Sequence, residues 1–165
     1  MKRILALVAV VLAATAAYLW SQSDRRRIER ALDRLESACE KEGPDSPMAL
    51  LARNQTITGS FAPGFLAVAE PYQGSFTDAQ ELARAIHVYR ASSRRISVDD
   101  AERRLEIGRD GTAEMETVFR VAGESGSGPG IERFRAKLFW VEHEGDWKIR
   151  EFRVVEVVEA GGLFF

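Results

Sequence analysis

One cysteine, Cys39, is all the thiol chemistry in this chain of 165 residues. A single thiol forms no internal disulfide, and with only two histidines it supplies no zinc cluster. Lysine is scarce too, at four residues against nineteen arginines, a bias that reads as codon usage and not as a phosphate-binding surface. Neither sign of charge dominates. The net charge is −2, and it becomes −4 with Lys2 and Arg3 set aside, 21 basic against 25 acidic residues. That balance gives no electrostatic pull towards nucleic acid. Also missing are a nucleophile elbow and a phosphate-cradling loop, since Gly123 to Gly130 has neither a following helix nor a lysine. No metal site and no cofactor is expected.

What is present begins with an apolar run. Ile4 to Trp20 carries no charge, and seventeen helical residues rise about 25 Å, at the short edge of what spans a bilayer. Tyr18 and Trp20 stand at its far end, where amphipathic rings favour the interface. The rival is a cleaved signal peptide, for which Ala14-Thr15-Ala16 is an acceptable site, although bulky Tyr18, Leu19 and Trp20 would then open the mature chain. The expectation is a single-pass anchor in a bacterial inner membrane with the domain outside the cytoplasm. Arg25, Arg26, Arg27, Arg30 and Arg34 argue against that orientation by the charge rule, but they belong to a folded helix. The chain therefore divides into residues 1–23, a domain over 24–158, and a tail over 159–165.

Within the domain, Asp24 to Lys41 sets Ile28, Ala31, Leu32, Leu35, Ala38 and Cys39 on one stripe, which predicts an amphipathic helix capped by Asp24. Cys39 lies on that stripe and reads as a buried, inert thiol. Ser46-Pro47 starts a short helix to about Asn54. Gln55 to Phe76 reads as an apolar loop packed over the core, with a short strand over Phe65 to Val68. Thr77 to Gln80 has the spacing of a capping box and opens a helix to about Ser92.

From Arg94 to Val158 the period changes to two, and the pattern is a four-strand antiparallel meander. Asp110-Gly111 and Glu144-Gly145-Asp146 supply its tight turns, and Gly123 to Gly130 a longer one. A change of parity near Asp99-Asp100 predicts a β-bulge, which gives those two aspartates a turn role; a second bulge is expected between Ile149 and Phe152. One face of the meander is apolar. The other alternates acidic and basic strands and reads as solvated, with a second copy or a protein partner as its candidate occupant. His87 falls off the apolar face of its helix and His143 sits beside a turn, so both read as surface histidines.

The order helix, short helix, capped helix, bent meander, with Gly145-Asp146-Trp147-Lys148-Ile149 entering the last strand, resembles the nuclear transport factor 2-like superfamily. The resemblance covers Asp24 to about Val158. It implies an α+β cone with helices on a strongly curved sheet over an apolar pocket. Ile86, Tyr89, Met115, Thr117, Phe119, Leu138 and Trp140 are the expected lining, joined by Leu35 and Cys39 from the first helix. Only Tyr89 and Thr117 among them are polar, so no catalytic set is expected. The functional expectation is a membrane-tethered module that holds a small apolar ligand or a protein partner. The alternative is an isomerase, dehydratase or cyclase working in the cone pocket.

Overall fold

The computed structural model describes residues 23–70, 74–125 and 128–161, with Thr15 and Leu19 besides. Its elements run α1 (Asp24–Cys39), α2 (Pro47–Gly59), β1 (Phe61–Ala69), β2 (Gly74–Phe76), α3 (Ala79–Ser92), β3 (Ser93–Ile107), β4 (Thr112–Ser125), β5 (Gly128–His143) and β6 (Asp146–Glu159). All six strands join one sheet in the order β2-β1-β6-β5-β4-β3. Every pairing is antiparallel except β1 with β6. The class is α+β, with the helices packed on one face of the sheet.

The meander is β3 to β6, but the sheet has six strands where four were expected. The two additional strands come from the segment that reads as a loop, and the short strand expected there over Phe65 to Val68 is part of β1. Pro63 and Gly64 suggest irregular chain, yet they fall where the β1–β6 register breaks between Phe61 and Leu66, which costs no ladder bond. Phe65 and Ala67 then alternate into the core. The loop expected over Gly123 to Gly130 is likewise mostly strand, because β4 and β5 pair out to Ser125 and Gly128. Gly111 and Gly145 do turn the hairpins at φ +74° and +82°, with Glu144 beside Gly145 at +54°.

Helix ends shift as well. Ser23 holds the N-cap position of α1, and Asp24 instead accepts bonds from Arg27 and from the Trp147 indole, each at 3.1 Å. The cap of α3 is Asp78, which accepts from the amides of Gln80 and Glu81, where the spacing pointed to Thr77. Carboxylates take this role well because they meet the positive end of the helix dipole. The second helix runs on past Asn54 to Gly59.

Two basic residues bind the helices to one another. Arg90 of α3 is buried, and its guanidinium donates to the carbonyls of Ala38, Cys39 and Glu40 and to Asp45. Lys41 returns the arrangement by donating to Arg90 O at 2.7 Å and Ser93 O at 2.6 Å. Each helix therefore has its final carbonyls satisfied by a cation from the other's neighbourhood.

Among the described residues no helix is long and apolar enough to cross a membrane. The expected span, Ile4 to Trp20, lies outside the described residues apart from Thr15 and Leu19.

Candidate functional site

The bulge in β3 decides what faces the helices. Register passes from Ala101 opposite Val118 to Arg104 opposite Glu116, so Glu102 and Arg103 share Thr117 as partner, and Glu102 turns left-handed at φ +60°. This lies three residues beyond the expected position. Asp100 therefore keeps the inward parity of Ile96 and Val98, opposite Phe119, and the turn role read for it is wrong. Asp99 does face outward, where it accepts from Arg120 at 3.3 Å.

Inward-facing Asp100 builds a polar cluster under α1. Its carboxylate takes two bonds of 2.5 Å from Arg103 and one of 2.9 Å from the Thr117 hydroxyl. The single Thr117 hydroxyl hydrogen is shared between that carboxylate and Ala101 O, which lies at 2.8 Å. Arg103 reaches Asp33 of α1 at 2.7 Å, and its Nη2 lies 3.6 Å from Glu36 Oε2. Glu36 lies beside Asp100, and its Oε1 is buried with no hydrogen-bond partner among the described residues. The Asp100 side chain is 5% exposed and that of Glu36 13%.

The two buried carboxyls, Glu36 and Asp100, cannot both be ionised beside one guanidinium in so little water. Burial first, and the neighbouring Asp100 charge second, push the Glu36 carboxyl up to about 8, against the opposing pull of Arg103. Burial also works against Asp100, but the bonds from Arg103 and Thr117 outweigh it and hold that carboxyl below its usual range. At neutral pH the pair holds one proton, and it sits on Glu36. Such a division is what an acid and a base in one site require. Chemically the pair can give or take a proton.

The residues read as pocket lining gather on the inner face. Met115, Thr117 and Leu138 have no exposed surface, Trp140 has 1% and Phe119 5%. A void wide enough for water would leave its walls accessible, so nothing of that size touches the first three. The Trp140 indole N–H is buried with no hydrogen-bond partner among the described residues. Ile86 and Tyr89 are half-buried at the edge of this core, as are Leu35 and Cys39. Burial pushes the Cys39 thiol up to about 12, which leaves it inert as a nucleophile. Glu132 is fully buried on the same face as Phe134, and its charge adds to the burial that raises the Tyr89 phenol.

Open space lies between the helices instead. A groove of about 690 Å³ separates α1 from α2. Ala31, Ala38, Ala52 and Trp147 line it, and Arg27, Arg30, Arg34 and Arg53 border it with Asp33 and Asp146. Arg27 is held by Asp24 and Glu142, and Arg53 by Asp45 and the Ser37 carbonyl. Arg34 is exposed and has no ion pair among the described residues. A smaller groove of about 250 Å³ lies between α2 and α3, bordered by Leu50, Ile57, Ile86 and an exposed His87. Neither groove touches Glu36, Asp100 or Thr117.

Glu36, Arg103 and Glu132 were outside the sequence reading. Glu36 stands four residues after Leu32 and three before Cys39, a spacing that shares the buried face of α1. Extending the β5 alternation back one step from Phe134 would have turned Glu132 inward.

No family model matches the chain, and no curated protein matches it. Solved structures do resemble it. A putative scytalone dehydratase from Novosphingobium aromaticivorans superposes with TM-score 0.66 at 13% identity, covering 84% of this chain and 91% of its own. A putative aromatic ring hydroxylase from the same organism gives 0.69 at 12%, covering 85% and 94%. A cystatin-like fold protein of unknown function from Nostoc punctiforme gives 0.63 at 15%, covering 85% and 95%. Identities this low show the fold alone, which is the cystatin-like α+β fold of the superfamily the sequence resembles.

Proposed function

We propose that this chain is a binding module whose ligand, a small organic anion with an apolar body, lies in the groove between α1 and α2. The groove itself carries the reading. Its volume falls in the range of about 300–1,000 Å³ usual for ligand sites, and Trp147 with three alanines gives it an apolar part within a lining that is mostly polar and charged. Arg34 contributes a guanidinium that no carboxylate of the described chain neutralises. The proposal also tethers the domain to a bilayer through Ile4 to Trp20, a reading from sequence that carbonate extraction of full-length chain would check.

Naphthalene-2-sulfonate is a suitable probe, because its charge does not vary with pH. It should bind the full chain in a calorimetric titration, and Arg34→Glu should weaken it about tenfold, the effect of reversing one nearby charge. Equal affinity for neutral naphthalene, or for the Arg34→Glu variant, would sink the proposal.

A second reading rests on the Glu36–Asp100 pair. Two of the similar structures are described as a dehydratase and a hydroxylase. In a dehydration, Asp100 would accept the proton beside a carbonyl while Glu36 protonated the leaving hydroxyl. Because neither residue borders a groove, the geometry favours binding.

A further inference from the structure

We propose that the proton on Glu36 regulates anion binding in the α1–α2 groove, acting through Arg103 and Asp33. The inference rests on the binding reading above and assigns its control. Glu36 faces Asp100 and Arg103 of β3, with Asp33 and Cys39 on its own helix, and Thr117 of β4 bonds Asp100. Of these, Cys39 stays neutral throughout, and Arg103 is the one cation.

While Glu36 holds its proton, Arg103 divides its donors between Asp100 and Asp33. The nitrogen that binds Asp33 at 2.7 Å is the one that lies 3.6 Å from Glu36 Oε2. When the proton leaves to solvent, two buried carboxylates and Asp33 compete for the same guanidinium. The Asp33 side chain is 56% exposed and can be stabilised by water, whereas Glu36 cannot. The buried carboxylate therefore takes the bond. Asp33 is released as a full negative charge on the wall of the groove, beside Arg30 and Arg34. There it repels an anionic ligand and offers the arginines an alternative partner.

The test is calorimetry of naphthalene-2-sulfonate with the full chain at about pH 6.5 and about pH 9, either side of the Glu36 transition. Affinity should fall about threefold to fivefold at the higher pH, the scale of one partly exposed ion pair. Glu36→Gln, which mimics the protonated acid, should bind equally well at both values. Asp33→Asn, an exposed change that leaves the core alone, should also lose the pH dependence, whatever the level of its affinity. Circular dichroism at both values checks that each variant is folded. Were Glu36→Gln to misfold, Asp33→Asn alone would decide. Binding that depends on Arg34 but does not change with pH would overturn this inference and leave the binding module standing. An undiminished fall in Asp33→Asn would do the same. Absence of binding at every pH would remove both.

Discussion

Two polar clusters are buried beside α1, and they differ in one count. At the C-terminal end of the helix, Arg90 meets Asp45 and three carbonyls, with Arg53 and Lys41 close by. Cations there are at least as numerous as carboxylates. Burial raises the Asp45 carboxyl, yet the Arg90 and Arg53 guanidiniums and Lys41 bring it below its usual range. At mid-helix, Glu36, Asp100 and Asp33 share Arg103 alone. One cluster is saturated and behaves as a cap, while the other lacks a cation and keeps a proton in its place. Whether a buried ion group is merely structural or can titrate is set by that balance, more than by depth.

Breaking the saturated cluster should produce the largest effect. Arg90→Ala leaves Asp45 and the end of α1 unpaired in a buried setting, and should destabilise by about 3–5 kcal/mol in urea unfolding. A midpoint near that of the parent chain would mean the cap contributes little.

The unsaturated cluster predicts a pH effect of definite sign. Since the folded Glu36 carboxyl sits near 8, above its ordinary 4.5, the folded state binds the extra proton between those values. Stability from this group is complete below the ordinary value and is lost as pH rises through about 8. The thermal midpoint of the parent chain should fall across that window. Glu36→Gln should be flat there and the more stable of the two above it. A parent chain whose midpoint does not change would show that Glu36 is already ionised at neutral pH.

The smallest effect belongs to the exposed counterpart on the outer sheet face. Lys137 bridges Glu114 and Glu116 at 3.3 and 3.9 Å, with its side chain 39% exposed. Its loss in Lys137→Ala should cost only about 0.2–1 kcal/mol, reduced further by salt. A cost near that of Arg90→Ala would abolish the distinction between buried and exposed pairs drawn here.

Much of the scaffold was legible in sequence because period and turn chemistry are local. The stripe from Ile28 to Cys39 made α1, alternation made β4 and β5, and Gly111 and Gly145 marked the hairpins. The bulge after Ile149 was readable from its change of parity, and the ladder does slip there, between Phe139 and Trp140. Strand β1 was readable only over Phe65 to Val68; its full length was not, because it pairs parallel to β6, residues distant in the chain, and Pro63 and Gly64 resemble loop punctuation.

The polar cluster shows where local reading ends. Spacing alone could place Glu36 on the buried side of α1 and could announce a bulge somewhere near Asp99-Asp100. It could not locate the bulge to the residue, and a slip of one position reverses which face a strand side chain takes. Only the β3–β4 register turned Asp100 inward and Arg103 towards Asp33. The sequence by itself determined the α+β order of elements, the apolar inner faces and the inert setting of Cys39. The tertiary structure decided that Glu36, Asp100 and Arg103, from two elements, meet in a space too dry to ionise both acids. The physical reason is that a side chain's hydrophobicity and periodicity are properties of its own segment. Desolvation and the count of nearby charges belong to the packed whole.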